Sequence, residues 1–401
     1  MGRFVAKNAN CPRALCFWLR RAASAMLVLV AVMLLGEARV EAFPQWQFST
    51  GNTHCNQCHY APAGGGLINT YGRDTAGEEL STFGGDGAFL HGAVPLPSWL
   101  ALGGDLRGAF ATEDVQDPSG PTYAVFPMQA DLYLRLAFGQ GFSASVTGGL
   151  RGQIRSGNDL VPEQNYQPID GSQVISREHY VMWQPQSQGP YLRLGRFFAP
   201  FGLRFAEHIM YIRRDLGFNT LQETYNLSGG WIEEKSELHI TAFMRDYLLH
   251  VGGPENGVAA YYERELADIA SLAGQAKFGV GPDAKRLVVG AVGKVYVEKA
   301  KTLFFGEADV VQVFPDATES RFQFVGAAGL SLLPYRGILA TLLAERFQDD
   351  LAVRQAEWTA ATALLSWFPY AHIEAQIMLR ADIPGGGDAA KTFFAQLHYY
   401  L

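Results

Sequence analysis

The residues FSASVTGGLRGQ, positions 142–153, place apolar or small side chains at every second position, with polar residues or glycine between them. The residues AHIEAQIMLRAD, positions 371–382, repeat the pattern, and further copies lie at 128–138 and 238–245. Because successive side chains of a β-strand point to opposite faces, each stretch predicts a strand with one apolar face and one wet face. The chain is therefore expected to be mainly β.

The wet faces distinguish a soluble β-sandwich from a membrane barrel. A sandwich packs its apolar faces on an inner core, whereas here charged residues stand in the middle of strands, as they would in a water-filled lumen: Arg151, Glu237, Glu374 and Arg380. Strand-like runs after Leu100 number about 16, an even count typical of outer-membrane barrels. We therefore predict an antiparallel transmembrane β-barrel of about 16 strands, with a small N-terminal segment that plugs or caps its lumen.

The ends of the predicted strands agree with this architecture. Tight turns at 138–141 and 367–370 are expected on the periplasmic side. The chain ends on FFAQLHYYL, positions 393–401, which is similar to the terminal strand recognised by the bacterial outer-membrane assembly machinery. Aromatic residues near strand ends are typical of girdles at the membrane interfaces, and the chain has several: Tyr180, Trp183, Phe197, Phe198, Trp367, Phe368 and Tyr370.

Residues 1–42 have the composition of a secretory signal peptide. Basic residues without an acid precede the apolar run 22–35, and small side chains at Val40 and Ala42 place cleavage before Phe43. The run is shorter than the ~18 residues of a membrane-spanning helix, although a retained anchor is the alternative. Cleavage removes six basic and two acidic residues, so the net charge falls from -7 to -11. Such an acidic chain is not expected to bind nucleic acid.

The pentapeptide Cys55-Asn56-Gln57-Cys58-His59 is a C-x-x-C-H motif, and it contains both cysteines that remain after cleavage. Two thiols at this spacing can each add to a haem vinyl group, and the adjacent histidine can then ligate the iron. A thioredoxin-like redox pair would need a βαβ context, and a zinc site would need further ligands. The motif therefore predicts one covalently bound haem c, held by Cys55 and Cys58, with His59 as axial ligand.

The sixth iron ligand is open at this point. His91 is a candidate within the haem segment, and Met378 is a candidate from the wet face of a barrel strand. Other wet-face histidines are His239, His372 and His398. A methionine ligand would raise the reduction potential relative to a second histidine. Carboxylates suit hard iron ions, so the acidic residues Glu233, Glu234 and Glu237 are either an iron site or a solvated rim.

The order of signal peptide, single haem motif and barrel resembles the monohaem cytochrome-porin fusions of iron-oxidising bacteria. The matching residues are Thr50-Gly51, the haem motif itself and Leu67-Ile68-Asn69-Thr70-Tyr71-Gly72-Arg73. A second stretch, GRFFAPFG at positions 195–202, is similar to one in anion-selective porins and in these fusions. The boundaries expected from motif and pattern are a signal peptide at 1–42, a monohaem cytochrome c segment at 43–97 and a porin-like barrel at 98–401.

The resemblance implies an outer-membrane cytochrome that takes electrons from extracellular Fe(II) and passes them to a periplasmic electron-carrier cytochrome. As an enzyme it would be an Fe(II) oxidase, a one-electron oxidoreductase whose catalytic residues the sequence does not identify. Its expected surroundings are outer-membrane lipid. Two alternatives are open: a solute porin with a haem-bearing plug, and electron export to an extracellular acceptor.

Overall fold

The computed structural model describes residues 55–114, 122–150, 174–219, 222–247, 255–267 and 269–401. The predicted signal peptide, the residues Thr50 and Gly51 and the mid-strand residue Arg151 lie outside these ranges. The strands are Leu100–Asp114 (β1), Thr122–Gly139 (β2), Phe142–Leu150 (β3), Val174–Trp183 (β4), Gly189–Phe197 (β5), Thr224–Ile232 (β6), Ser236–Met244 (β7), Asn256–Ala267 (β8), Ala270–Val280 (β9), Ala284–Val297 (β10), Thr302–Pro315 (β11), Arg321–Tyr335 (β12), Ile338–Gln348 (β13), Glu357–Trp367 (β14), Ile373–Pro384 (β15) and Ala390–Tyr400 (β16).

Helical pieces are short and few among the described residues. They are the α-helices Cys55–Cys58 (α1), Thr70–Thr75 (α2) and Tyr211–Arg214 (α3), a π-helical turn at Ala76–Leu80, and the 3-10 turns Phe89–Gly92 and Glu298–Ala300. In the described part of the chain, no helix combines the length and apolar character needed to span a membrane.

The sixteen strands form one closed antiparallel barrel. Each strand pairs with its neighbours in the chain, and β1 closes the barrel on β16 in a register that runs from Asp105 opposite Tyr400 to Asp114 opposite Lys391. Closure leaves no strand edge whose backbone groups would face lipid without partners. The predicted 16-stranded antiparallel barrel is confirmed.

Side-chain parity gives the barrel an apolar outside and a mostly polar inside. On β15 Ile377 and Leu379 are 46% and 56% exposed, whereas Met378 and Arg380 between them are 4% exposed. The strand starts at Ile373, so Ala371 and His372 of the predicted alternation belong to the preceding turn. Because lipid takes the place of water on the outer face, the exposed leucines and isoleucines contact hydrocarbon.

Connection length distinguishes the two ends of the barrel. Short turns, including 138–141 and 367–370, lie at the end where β1 begins and the chain terminates, and the longer connections lie at the other end. Leu401 donates from its backbone N–H to the carbonyl of Gly104, 2.8 Å away, and so fixes the carboxyl terminus at this end. Short turns face the periplasm in such barrels.

Two of the aromatics expected in a membrane girdle turn inward instead. Tyr180 is 9% exposed and Phe197 is fully buried. The guanidinium carbon of Arg193 lies 3.6 Å from the centre of the Tyr180 ring and 3.8 Å from that of Phe197, which places a cation-π contact inside the barrel. Trp367 and Tyr370 are exposed at the periplasmic rim, as a girdle requires.

The chain before β1 is hydrogen-bonded to the periplasmic turns. Backbone N–H groups of Thr82 and Phe83 donate to the carbonyls of Phe368 and Pro369 at 2.8 and 2.9 Å. Arg336, in the turn between β12 and β13, donates from Nε to the carbonyl of Ser81 at 2.7 Å. The described part of the predicted haem segment therefore docks on the periplasmic end of the barrel.

The connection from β5 to β6 folds into the barrel. Residues 198–219, here called the inserted segment, contain α3 and bury Met210, Tyr211 and Leu216 almost completely. These side chains join a hydrophobic cluster with inward-facing residues such as Val292 and Val311. Part of the inner wall is therefore apolar and is covered by the inserted segment, which narrows the lumen.

Candidate functional site

Helix α1 places the side chains of the C-x-x-C-H motif on one turn. The backbone N–H of His59 donates to the carbonyl of Cys55 at 2.9 Å, so the helical turn continues into the histidine. Neither cysteine forms a disulfide bond in the described part of the chain, and Cys58 is buried. The motif therefore has two thiols and an imidazole in a fixed local arrangement.

The residues after the motif fold back onto it. The N–H of Asn69 donates to the carbonyl of Cys58 at 2.8 Å, and its side-chain amide donates to the carbonyl of Gln57 at 2.7 Å. The same side chain caps α2 by accepting from the N–H of Gly72 at 3.0 Å. A Cβ at Gly72 would lie 2.4 Å from the Cys58 carbonyl oxygen, so only glycine allows this approach. The Asn69 and Gly72 positions quoted for the family resemblance thus support the motif directly.

The surroundings of His59 keep its ring neutral and oriented. Burial, followed by the charge of Arg204, lowers the pKa of His59 to about 4, while the backbone of Gly66 and Gly65 hydrogen-bonds the ring. Histidines that ligate metals are oriented in this way, by a hydrogen bond from the second ring nitrogen to a carbonyl or carboxylate. Burial also raises the pKa of both thiols, Cys55 and Cys58, to about 12.

Side chains of the barrel reach the motif from several strands. Arg204 of the inserted segment donates from Nη1 to the carbonyl of Ala63 at 2.9 Å. Asn56 donates from Nδ2 to the carbonyl of Ser187, in the turn between β4 and β5, at 2.5 Å. The charges of Glu237 and Lys294 on the inner wall also affect the pKa of the Cys55 thiol: Glu237 raises it and Lys294 lowers it. The motif therefore lies within the periplasmic part of the lumen, between the wall and the inserted segment.

The residues present fit covalently attached haem. Two thiols three positions apart, neither in a disulfide, and a neutral, hydrogen-bonded imidazole are the donor set that a haem c requires. Gly64 has a φ of +73° and lies beside Cys55. A Cβ added at Gly64 would lie 3.2 Å from the Cβ of Cys55 and 3.3 Å from its Sγ. The glycine therefore keeps the space beside this thiol free of a side chain.

Two of the wet-face histidines have both ring nitrogens hydrogen-bonded. His398 lies between two carboxylates, with Nδ1 3.0 Å from Oε2 of Glu374 and Nε2 in contact with Asp105. His372 has Nδ1 2.6 Å from the carbonyl of Tyr400 and Nε2 3.0 Å from the carbonyl of Asp86. Iron ligation by either histidine would require one of these bonds to break.

The other predicted sixth ligands lie in three different places. Met378 is buried in the hydrophobic cluster of the inserted segment. His91 is exposed at the periplasmic rim, where its ring packs edge-on against His372 with 4.4 Å between centroids. His239 is buried on β7, with Nδ1 2.7 Å from the hydroxyl of Tyr191 and Nε2 3.5 Å from Oε1 of Glu237. The sixth ligand stays a prediction for each of them.

The three acidic residues considered as an iron site do not converge. Glu237 points into the barrel, whereas Glu233 and Glu234 lie on the exposed turn before β7. Within the ranges that the structure describes, no group of three or more His, Cys, Asp or Glu side chains is arranged to hold a metal ion. The solvated-rim interpretation therefore fits Glu233 and Glu234.

The inserted segment contributes to the site, although no sequence motif indicates it. Arg204 lies in it, half-buried, and donates to the carbonyl of Ala63 beside the motif. The stretch GRFFAPFG indicates a strand end and a turn, but no local signal says that the following residues enter the lumen.

No protein-family model matches the chain, and no curated protein matches it. Solved structures do match. OmpT of Vibrio cholerae, expressed in the outer membrane, has a TM-score of 0.56 at 7% identity and covers 77% of this chain and 100% of that chain. The anion-selective porin from Comamonas acidovorans has a TM-score of 0.53 at 12% identity and covers 75% of this chain and 99% of that chain. The outer membrane channel DcaP of Acinetobacter baumannii has a TM-score of 0.51 at 11% identity, with 75% and 97% covered.

At such identities the likeness shows the fold. The chain is an outer-membrane β-barrel protein with the barrel architecture of porins, and its place is the bacterial outer membrane.

Proposed function

We propose that the protein is an outer-membrane electron-transfer cytochrome of the monohaem cytochrome-porin type. In this proposal Cys55 and Cys58 would hold one haem c through thioethers, and His59 would ligate its iron. Electrons pass from extracellular Fe(II), the substrate, to a periplasmic electron-carrier cytochrome. The observation that carries the proposal is the C-x-x-C-H motif on one helical turn inside the periplasmic part of the lumen, with a neutral imidazole held by backbone hydrogen bonds.

When bound, haem c supplies reversible one-electron chemistry at a potential set by its ligands and surroundings. The chain contributes the surroundings. The thiols of Cys55 and Cys58 would anchor the group, and hydrogen bonds to the backbone of Gly65 and Gly66 orient the imidazole of His59. The inserted segment packs a hydrophobic cluster against part of the inner wall. A barrel narrowed in this way would keep iron ions outside the periplasm.

The position of the motif supports the proposed partner. The segment that follows it is hydrogen-bonded to the periplasmic turns at Phe368 and Pro369, so the site lies close to the compartment in which a soluble electron carrier would dock. The opposite direction, electron export to an extracellular acceptor, uses the same site. The relative reduction potentials of the two partners decide between them.

A second candidate is a solute channel in which the haem segment is a plug. The likeness of the barrel to an anion-selective porin and to an outer membrane channel supports it. Against an open channel stands the inserted segment, because its buried residues Met210, Tyr211 and Leu216 pack on the inner wall.

The test uses the full-length protein in lipid vesicles that contain a membrane-impermeant electron acceptor. External Fe(II) is added, and reduction of the enclosed acceptor is followed optically. The proposal expects reduction with the wild-type protein and none with the Cys55→Ser/Cys58→Ser variant. A dithionite-reduced haem signal without transfer from Fe(II), together with rapid leakage of small solutes, would favour the channel instead.

A further inference from the structure

The chain after His59 forms a loop that is closed by its own backbone. The N–H of Tyr60 donates to the carbonyl of Leu67 at 3.2 Å, and His59 forms an antiparallel bridge with Ile68. This loop, residues 60–67, is here called the motif loop. Its two ends are fixed next to the predicted iron ligand, so side chains that contact the loop also lie near the proposed haem site.

Two arginines from different parts of the barrel contact the motif loop. On β2, the guanidinium carbon of Arg135 lies 4.3 Å from the centre of the Tyr60 ring. In the inserted segment, Arg204 donates from Nη1 to the carbonyl of Ala63 at 2.9 Å. Its other terminal nitrogen, Nη2, lies beside Gly65, where an added Cβ would be 3.6 Å away. Two positive charges are therefore held against the loop.

Neither of these arginines has a carboxylate partner among the residues that the structure describes. Other inward-facing arginines nearby are paired: Arg193 with Glu178 at 3.3 Å, and Arg177 with Asp131 at 2.9 Å. The Nε atom of Arg135 is buried and makes no hydrogen bond within the same described ranges. Because a buried donor without an acceptor costs free energy, this atom indicates an acceptor from outside the polypeptide.

The one carboxylate seen beside the motif loop from β4 is already neutralised. A Cβ at Gly66 would lie 3.5 Å from Oε2 of Glu178, and the same oxygen is paired with the buried Arg193. This ion pair adds no net charge, whereas Arg135 and Arg204 add two positive charges and are both half-buried. Charge that is partly removed from water and has no counterion is unfavourable, so the pair of arginines favours a bound anion.

We infer that Arg135 and Arg204 bind the two propionate carboxylates of the haem group. The inference rests on the proposed haem site and deepens it, because the C-x-x-C-H motif supplies no partner for these anions. A guanidinium can donate two parallel hydrogen bonds to a carboxylate, which suits this role better than the ammonium group of lysine. Haem carries one propionate for each of the two arginines, so the charges would balance inside the lumen.

Such pairing would also affect the reduction potential. A negative charge near haem iron favours the ferric form, and a guanidinium that neutralises this charge favours the ferrous form. Loss of either arginine should therefore lower the reduction potential. Arg204 would in addition join the haem to the inserted segment, because its side chain would contact both a propionate and Ala63.

The experiment is a redox titration of the full-length protein in detergent, combined with infrared difference spectra between its oxidised and reduced forms. Growth on carboxyl-labelled aminolevulinate places an isotope label in the haem carboxylates, which separates their bands from those of the protein. Arg135→Gln and Arg204→Gln should each lower the reduction potential and shift the labelled bands. Arg135→Lys and Arg204→Lys keep the charge, so they should retain most of the wild-type potential.

The matched control is Arg336→Gln. Arg336 also donates to a carbonyl of the predicted haem segment, that of Ser81, at 2.7 Å. It lies in the turn between β12 and β13, whereas Asn56 of the motif contacts the turn between β4 and β5, on the other side of the closed barrel. Its loss should weaken docking of the segment and leave the reduction potential and the labelled bands at their wild-type values.

A wild-type potential with unshifted labelled bands in Arg135→Gln or Arg204→Gln would overturn the inference for that arginine, which would then only hold the loop. Labelled bands that stay unshifted in both variants, with a potential that responds to added inorganic phosphate, would assign the arginines to a free anion and overturn it as well. Heat-modifiability on gels verifies that each variant has folded. Failure of the proposed function is distinguishable, because it would appear as a wild-type protein without covalent haem, whereas failure of the inference leaves the haem in place.

Discussion

Replacing Leu216 by alanine is expected to loosen the inserted segment and to open the lumen. Leu216 is fully buried in the hydrophobic cluster. Its carbonyl accepts from Nζ of Lys277 on β9 at 2.9 Å, so it lies where the segment is tied to the wall. Truncation of a buried leucine costs about 2–5 kcal/mol. The barrel strands themselves are untouched, so this cost falls on the docking of the segment.

The expected change in the open population follows from that cost. Each 1.4 kcal/mol changes an equilibrium constant about tenfold, so a loss of about 2–5 kcal/mol raises the open fraction by about 30-fold to about 4,000-fold. In planar lipid bilayers the wild type should show little current and rare openings. Leu216→Ala should show openings more often by a factor in that range, with the same unit conductance.

The control is Leu227→Ala on β6, where the side chain is 49% exposed on the lipid-facing side. It removes the same atoms without touching the inserted segment, and the opening frequency should stay at the wild-type value. A steady, porin-like current through the wild type would refute the reasoning. An opening frequency that Leu216→Ala leaves unchanged would refute it as well.

Three further predictions concern the haem segment and the wall. Arg204→Gln should weaken docking of the haem segment by about 1–3 kcal/mol, because it removes a charged hydrogen bond to the carbonyl of Ala63. Limited proteolysis of the haem segment should be faster in this variant than in the wild type, and Arg204→Lys should give an intermediate rate. Burial lowers the pKa of His59 to about 4, so docking of the haem segment should depend on pH in the haem-free Cys55→Ser/Cys58→Ser variant. Docking should be fully stable above the ordinary histidine pKa of about 6.5 and should weaken by about 1.4 kcal/mol per pH unit as pH falls toward 4. Limited proteolysis at a series of pH values measures this, and a flat profile would contradict it. Lys294→Met should destabilise the barrel by about 3–5 kcal/mol, because it leaves Glu263 buried without its partner 2.7 Å away, and Lys294→Met/Glu263→Leu should recover most of the loss in a heat-modifiability series.

The sequence was sufficient to predict the barrel because lipid and lumen impose opposite demands on alternate residues. Ile377 and Leu379 outside, with Gln376 and Arg380 inside, follow directly from the two-residue period of a strand. The short turns at 138–141 and 367–370 were likewise predictable from the pattern, and the structure places both at the periplasmic end.

The inserted segment could not be predicted in the same way, because its contacts join residues far apart in the chain. A signal was nevertheless present in the wall. Strand β10, AKRLVVGAVGKVYV, carries valines on both faces, and Val288 and Val292 face inward. A strand that is apolar on both faces needs a cover on each side, and in the lumen that cover is the inserted segment.

The most direct measurement of the central claim is a haem stain of the purified protein after denaturing electrophoresis, paired with the spectrum of its pyridine complex. Haem is expected to stay on the wild-type chain through denaturation and to be absent from the Cys55→Ser/Cys58→Ser chain, while both barrels fold. A wild-type chain that folds as a barrel and carries no covalent haem after maturation in a haem-attaching host would contradict it.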